Sequence, residues 1–249
     1  MLIHLNYRSE TLVMQSETSL IMPLGVDPKE LKVLWLLHGH SGNQTTWMRQ
    51  TSIERYVEDK KLCVVMPAAD RSFYCDMKYG KNYLTHLTVE LPELLHTSFG
   101  LSRKREDNYI AGLSMGGYGS FKLALTKPKN YCVAASLSGV VDIAAASKEI
   151  PPDDHRRNAL LGVFGDFDTI EGSPNDTVVL AKQCLDSGVM PKLYMCCGDK
   201  DFLFPCNQLF NAKLKAMGYP VVYEIDPDYA HTWDYWDLKI QRVLEWMGL

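Results

Sequence analysis

The sequence predicts an α/β protein with a mainly parallel central sheet and helices on both of its faces. Continuous apolar runs recur along the 249 residues, and such runs are typical of strands buried on both faces. Between them lie segments whose apolar residues recur at helical spacing. A repeated strand–loop–helix order is typical of parallel sheets covered by helices. Because no internal repeat, low-complexity tract or linker interrupts the chain, we expect one domain over residues 1–249.

The N-terminal half predicts an antiparallel edge followed by buried strands. Polar and apolar residues alternate over the first 23 residues, which indicates an antiparallel pair of strands at a sheet edge. Apolar runs predict strands over 31–37 and 62–67, with a helix from near Asn43 between them. Leucines at helical spacing predict a further helix over 84–95, and Pro92 in it predicts a kink or a restart.

The C-terminal half continues this alternation with one interruption. Residues from about 142 to 190 break the rhythm with prolines, glycines and a charged group, and we interpret them as a small cap of short helices and loops. The last helix has an apolar stripe that places Trp236 in the core, although Trp233, Tyr235 and Trp236 could also form a substrate-stacking box. The remaining predicted elements are strands over 109–113, 132–137, 192–197 and 221–225, a helix that stops before Pro128, and a helix over 205–217.

Composition excludes several classes of protein. A net charge of −4 and a pI near 6.0 show no excess of positive charge, so we expect no nucleic-acid partner. No stretch approaches the roughly 18 apolar residues of a membrane span, and the first residues lack a signal-peptide pattern, so we expect a cytoplasmic protein without a membrane partner. The seven cysteines are odd in number and form no C-x-x-C pair, which favours reduced, buried thiols over disulfides or a metal site.

The pattern Gly112-x-Ser114-x-Gly116 is typical of the nucleophile elbow of serine hydrolases. It lies between an apolar strand and a helix, where a sharp turn exposes the serine hydroxyl and leaves room only for very small residues two positions away. The pentapeptide alone is weak evidence, because glycine and serine are common. Its value depends on a base, an orienting acid and an oxyanion hole elsewhere in the chain.

The loops after the last two predicted strands supply the base and the acid in the expected order. An α/β-hydrolase triad runs serine, acid, histidine along the chain. Of the seven histidines, only His231 both follows a strand and comes after a candidate acid. We predict Asp201 as the acid, because it ends a short turn opened by a glycine, and keep as alternatives Asp199, Asp226 and Asp228.

The oxyanion hole needs two backbone N–H groups aimed at the developing negative charge. We predict the N–H of Met115, which follows the serine, and the N–H of His40 in the loop after residue 37. The His38 and His40 side chains could suggest a metal, but no third ligand stands at suitable spacing, so we predict none and expect His38 to hold its loop. Candidate pocket walls are Trp47, Tyr79 and Phe202.

Segments spread over nearly the whole chain resemble the esterase D-like branch of the α/β-hydrolases. That branch includes tributyrin esterases, S-formylglutathione hydrolases, and the acetyl-xylan and feruloyl esterases of carbohydrate esterase family one. The likeness is greatest to the bacterial tributyrin esterases, and weaker to the S-formylglutathione hydrolases because the stretch after Gly39 departs from their pattern. The matching segments are 36–39, 71–77, 90–92, 112–117, 197–203 and 231–233.

The resemblance implies an α/β-hydrolase fold with a small cap, a triad of Ser114, Asp201 and His231, and an oxyanion hole at His40 and Met115. We therefore expect a serine carboxylesterase that hydrolyses short-chain acyl esters without a cofactor. Alternatives are an acetyl-xylan or feruloyl esterase, an S-formylglutathione hydrolase-like thioesterase, an acyltransferase, and a non-catalytic relative. The expected partner is a small-molecule ester, and a homo-oligomer stays open.

Overall fold

A computed structural model describes all 249 residues and shows an eight-stranded sheet in the order β1-β2-β4-β3-β5-β6-β7-β8. The first two strands pair antiparallel, β2 runs antiparallel to β4, and every other pairing is parallel. The predicted antiparallel edge and the mainly parallel sheet are confirmed. The strands are β1 (Leu2–Ser9), β2 (Met14–Ile21), β3 (Lys32–Leu37), β4 (Leu62–Pro67), β5 (Asn108–Leu113), β6 (Val133–Leu137), β7 (Lys192–Gly198) and β8 (Val221–Asp226).

Helices cover both faces of this sheet, and none combines the length and apolar character needed to cross a bilayer. Short 3₁₀ turns lie at Pro28–Glu30, Arg105–Asp107 and Phe167–Thr169, and a π-helical turn lies at His86–Glu90. The α-helices are α1 (Thr46–Gln50), α2 (Ile53–Tyr56), α3 (Tyr83–Thr85), α4 (Leu91–Phe99), α5 (Met115–Thr126), α6 (Ile143–Lys148), α7 (Arg157–Phe164), α8 (Thr177–Ser187), α9 (Phe204–Ala216) and α10 (Trp233–Met247).

The core is divided by the sheet, because successive strand residues point to opposite faces. On β3, Trp35 belongs to the larger cluster with α4, α5, α8 and α9, whereas Leu34 and Leu36 belong to the smaller cluster with α1, α2 and α10. β5 lies between β3 and β6 at the centre of the sheet. The loops at the carboxyl ends of these parallel strands therefore meet at one edge.

The insertion after β6 is shorter than predicted. Residues 143–169 form two short helices and a 3₁₀ turn, as expected for a cap, but residues 177–187 form α8, which packs against α5 and α9. This helix is the ordinary crossover between β6 and β7. Asp176 caps its N-terminus, and Leu180, Ala181 and Cys184 face the core at helical spacing. The predicted range of 142 to 190 was wrong at its C-terminal end, because glycines before Asp176 masked the start of a core helix.

Pro92 was expected to kink its helix or to mark a restart, and it lies where a π-helical turn changes to α4 without a break in the helical backbone. The helix that begins at Tyr83 passes through the π-helical turn, where Leu91 donates its N–H to the His86 carbonyl five residues earlier. Pro92 lies just after this turn, and the Thr88 carbonyl four residues before it, to which proline can donate no N–H, accepts from Asn130 Nδ2 instead (3.4 Å).

A buried histidine joins this π-helical turn to the N-terminal hairpin. His86 is fully buried, its Nδ1–H donates to Glu90 Oε2 (2.7 Å), and its Nε2 lies 3.1 Å from the Tyr7 hydroxyl. Glu90 also accepts from Ser9 Oγ (2.6 Å) and from the Glu10 N–H (2.7 Å). Desolvation alone would raise the pKa of Glu90, but these hydrogen bonds outweigh it and lower the pKa to about 2.

We expect Glu90→Gln to lower the free energy of unfolding by about 2 kcal/mol at pH 7, measured by urea unfolding. Folding lowers the pKa of Glu90 from 4.5, so its stabilisation is complete above that pH and is lost as the pH falls toward 2. The difference between variant and wild type should therefore shrink below about pH 4.5. The control is Glu93→Gln on the same helix, whose exposed ion pair with Arg103 should be worth under about 0.5 kcal/mol. A variant as stable as wild type at pH 7 would contradict the network's importance.

Candidate active site

Ser114 lies at the sharp turn between β5 and α5, in a backbone conformation that side chains rarely adopt (φ +53°, ψ −116°). Its N–H donates to the Leu137 carbonyl of the neighbouring strand (2.9 Å), which fixes the turn to the sheet. A Cβ atom on Gly112 would lie 2.2 Å from the Gly116 carbonyl oxygen, and one on Gly116 would lie 2.5 Å from the Leu37 oxygen. The turn therefore requires glycine at both positions.

Three predicted side chains form one hydrogen-bonded chain beside this turn. The Nε2 atom of His231 lies 3.0 Å from Ser114 Oγ, and its Nδ1 lies 2.8 Å from Asp201 Oδ2. The Asp201 side chain is fully buried, and its other oxygen accepts the Leu203 N–H (2.8 Å). A carboxylate at Nδ1 holds the proton there, so Nε2 is free to accept a proton from the serine hydroxyl.

Of the three alternative aspartates, Asp199 and Asp226 have other partners, and the exposed Asp228 carboxylate forms no hydrogen bond. Asp199 accepts the Asp228 N–H through its Oδ1 atom at 2.8 Å. Asp226 accepts from the Tyr235 hydroxyl (2.8 Å) and lies 3.0 Å from Lys239 Nζ. None of these carboxylates is hydrogen-bonded to His231.

His38 holds the shape of the loop after β3, as expected. Its Nδ1–H donates to the Gly39 carbonyl (2.7 Å), and its Nε2 accepts the Ala69 N–H (3.0 Å). The Tyr74 hydroxyl donates to the His38 carbonyl (2.8 Å). Burial lowers the pKa of the His38 imidazole, which keeps the ring neutral and preserves this pattern of one donor and one acceptor.

The two N–H groups predicted for an oxyanion hole belong to residues that border the same cavity as Ser114. The His40 N–H has no hydrogen-bond acceptor within the protein, and Met115, as the first residue of α5, has no acceptor one turn earlier in the helix. Neither N–H group therefore has a hydrogen-bond acceptor within the protein. The His40 ring lies 5.8 Å from the Phe73 ring, and burial together with nearby Arg71 and Arg156 lowers the pKa of its imidazole.

A cavity of about 800 Å³ opens beside Ser114 and His231. The loop after β3 and α1 contribute to its lining, as do the segments that follow β6 and β7. The lining residues from the loop after β3 and from α1, here called the β3 side, are polar or glycine, whereas those from the segments after β6 and β7 are mainly apolar. The polar wall is formed by Ser41, Thr46, Arg49 and Gln50, and the apolar wall by Val140, Ile143, Leu203, Cys206 and Leu209.

Of the three predicted pocket walls, the structure places only Phe202 at this cavity. Phe202 is 65% exposed at the rim, with its ring 4.6 Å from the His231 ring. Trp47 is buried behind the cavity, where its indole N–H donates to the Leu37 carbonyl (2.9 Å). Tyr79 lies outside the cavity with its side chain 74% exposed. Its backbone N–H donates a hydrogen bond to the Gly162 carbonyl (2.9 Å). The predictions for Trp47 and Tyr79 were wrong, because the sequence does not show in which direction a single aromatic side chain points, either in a short helix such as α1 or in a loop.

Trp233 and Trp236 both border the cavity, and Trp236 is also buried in the core as predicted. The Trp236 ring meets the His231 ring edge-on at 4.7 Å, whereas Tyr235 is fully buried against Asp226. Sequence reasoning missed most of the cavity wall. Its members come from the insertion, α1 and α9, where no motif or spacing distinguishes a cavity residue from a packing residue.

The fold and this site define an ester hydrolase of the α/β-hydrolase class, with a serine at the elbow. The family model described as "Putative esterase" matches residues 14–247, and the chain belongs to that esterase family. An acetyl esterase from Caldicellulosiruptor saccharolyticus is 34% identical over 99% of this chain and 98% of its own length. The predicted resemblance and fold are thereby confirmed, and the protein is a carboxylic ester hydrolase.

Two solved structures from Staphylococcus aureus show how far the likeness extends. The fluorophosphonate-binding serine hydrolase FphF is 36% identical, with a TM-score of 0.90 over 100% of this chain and 98% of that chain. The S-formylglutathione hydrolase FrmB is 37% identical, with a TM-score of 0.88 over 100% of this chain and 99% of that chain. Both share the complete fold with the present chain.

Proposed function

We propose that the protein hydrolyses short-chain acyl esters through an acyl-enzyme intermediate on Ser114. The observation that carries the proposal is the hydrogen-bonded chain from Ser114 through His231 to Asp201, open to the cavity at the serine end. Serine, base and buried acid in this arrangement are the groups that acyl transfer needs.

In the first half of the reaction, Ser114 Oγ attacks the ester carbonyl carbon while His231 Nε2 takes the hydroxyl proton. The negative charge that develops on the carbonyl oxygen is stabilised by the N–H groups of His40 and Met115. Asp201 stabilises the positive charge on the imidazolium. The carbon–oxygen bond to the alcohol then breaks, and His231 gives its proton to the departing alcohol.

In the second half, water takes the place of the alcohol. His231 removes one proton from the water as its oxygen attacks the acyl carbonyl, and the same two N–H groups stabilise the second tetrahedral intermediate. Breakdown of the intermediate releases the carboxylic acid and returns the proton to Ser114. Every step uses protein groups and water, so no cofactor takes part in this mechanism.

The two walls of the cavity favour different halves of the ester. Burying an acyl chain against Val140, Ile143 and Leu203 removes apolar surface from water, whereas the β3 side offers hydrogen-bonding groups to the alcohol. The acetyl esterase relative supports a short acyl group. We therefore assign the acyl group to the apolar wall and a polar alcohol to the β3 side.

A series of p-nitrophenyl esters from acetate to dodecanoate tests this proposal. We expect kcat/KM to be greatest between acetate and butyrate and to fall by about tenfold or more at octanoate, because methylenes that do not fit each cost on the order of 1 kcal/mol. A rate that keeps rising to octanoate or beyond would contradict the short-chain assignment. Absence of hydrolysis for the whole series would contradict the esterase function proposed here.

A thioesterase acting on S-formylglutathione is a second candidate function. The observations that favour it are the likeness to FrmB and the guanidinium of Arg49, which forms no ion pair and borders the polar side of the cavity. If kcat/KM for S-formylglutathione exceeds that for the best p-nitrophenyl ester by about 100-fold, the thioester becomes the preferred substrate. A ratio below one leaves the oxygen ester as the substrate.

A further inference from the structure

We propose that Asp199 is a positioning residue, which clamps the loop that carries His231 (residues 227–232) against the loop that carries Asp201 (residues 199–203). The inference deepens the proposed function, since it concerns the geometry of the same base. Asp199 does not reach the reacting atoms. Its side chain acts on the opposite loop, three residues before His231.

Besides the bond between His231 and Asp201, three hydrogen bonds join the Asp201 loop to the end of β8 and to the His231 loop that follows it. Two are between backbone groups, from the Asp199 N–H to the Asp226 carbonyl and from the Lys200 N–H to the Tyr229 carbonyl, both at 3.0 Å. The third runs from the Asp228 N–H to Asp199 Oδ1 at 2.8 Å. Apart from the bond between His231 and Asp201, the Asp199 carboxylate therefore supplies the side-chain part of the connection, which a substitution can remove while both backbone bonds remain.

The last residue of β7, just before the Asp201 loop, also touches the His231 loop directly. A Cβ atom on Gly198 would lie 2.1 Å from the Tyr229 carbonyl oxygen, so the two backbones meet at a distance that only glycine permits. A shift of one loop is consequently passed to the other.

The bond from Asp228 to Asp199 holds an unfavourable backbone conformation. Asp228 has φ +65°, in the left-handed region, which costs roughly 1 kcal/mol for a residue with a Cβ atom. Without an acceptor for its N–H, Asp228 loses the contact that holds it there. His231 would then drift from its distances of 2.8 Å to Asp201 and 3.0 Å to Ser114.

Asp199→Ala should lower kcat for p-nitrophenyl acetate by about 10- to 100-fold and change KM by less than about twofold, because a small misplacement of the base affects the chemical step. Asp199→Asn should restore kcat to within about threefold of wild type, since an amide oxygen accepts the same N–H. Adding Asp228→Gly to Asp199→Ala should recover part of the loss, because glycine adopts positive φ without strain. Exposed Asp234 provides the matched control, and Asp234→Ala should leave kcat unchanged.

A proton NMR spectrum recorded without substrate tests the role of Asp199 independently of whether the protein is an esterase. The Nδ1 proton between His231 and Asp201 should give a low-field resonance that persists in Asp199→Asn and is lost or shifted upfield in Asp199→Ala. Wild-type kcat and an unchanged resonance in Asp199→Ala would overturn the clamp, as would equal losses in the alanine and asparagine variants. If Asp199→Ala does not fold, the test falls on Asp199→Asn. A tenfold or larger drop in kcat in folded Asp199→Asn would then also overturn the clamp. An inactive wild type with the expected resonances would count against the esterase and not against the clamp.

Discussion

Replacement of Ser114 by alanine is expected to lower kcat/KM for p-nitrophenyl acetate by about 10⁴- to 10⁶-fold. The hydroxyl is 3.0 Å from the base, and alanine leaves His231 with no nucleophile to activate. Adding His231→Ala to Ser114→Ala should cause little further loss, because groups that act as one unit are not additive. Steady-state kinetics on the single and double variants would measure both effects.

The Ser114→Ala variant should fold normally, since alanine removes one oxygen atom and introduces no new contact. Far-UV circular dichroism and thermal unfolding would verify this. A folded variant that keeps more than about 1% of wild-type kcat/KM would contradict the assignment of Ser114 as nucleophile.

Gly112→Ala should destabilise the protein by about 3 kcal/mol and remove most of its activity. The added methyl group would meet the Gly116 carbonyl at 2.2 Å, and both contacting groups belong to backbone fixed by the central sheet and α5. The turn must open to accommodate it, which moves the Ser114 hydroxyl. Urea unfolding and esterase assays would measure the two consequences together.

Gly162→Ala is the matched control for that substitution. Gly162 lies within α7, and a Cβ atom there would have nothing within 4 Å. Alanine is a better helix former than glycine, so stability should be unchanged or higher by up to about 1 kcal/mol. A Gly112→Ala variant whose free energy of unfolding is within about 1 kcal/mol of wild type would refute the steric account of the elbow.

The strands and the three hydrogen-bonded residues Ser114, His231 and Asp201 could be predicted, because each is marked by a short pattern in the sequence around it. A strand buried on both faces appears as an apolar run, as at Leu62–Pro67, and the elbow appears as a serine with a glycine two positions to either side. Asp201 and His231 lie far apart in sequence, but each follows a strand of the same parallel sheet. The topology therefore brings them to Ser114 without any further signal.

The cavity wall could not be predicted because it depends on the direction in which individual side chains point, in short helices as well as in loops. Trp47 and Phe202 are both aromatic and both near the site, yet Trp47 turns into the core while Phe202 stands at the rim. The end of the insertion was misplaced for a related reason. Few residues separate the cap from α8, and the difference lies in what each packs against rather than in composition.

Covalent labelling with a fluorophosphonate followed by peptide mass spectrometry tests the central claim most directly. Trypsin releases residues 106–122 as one peptide, which contains both Ser114 and Ser120. We predict one adduct per chain, placed on Ser114 by fragmentation, with loss of esterase activity in proportion to labelling. An adduct on Ser120 or on another residue, or full hydrolysis by protein fully labelled at Ser114, would contradict the account.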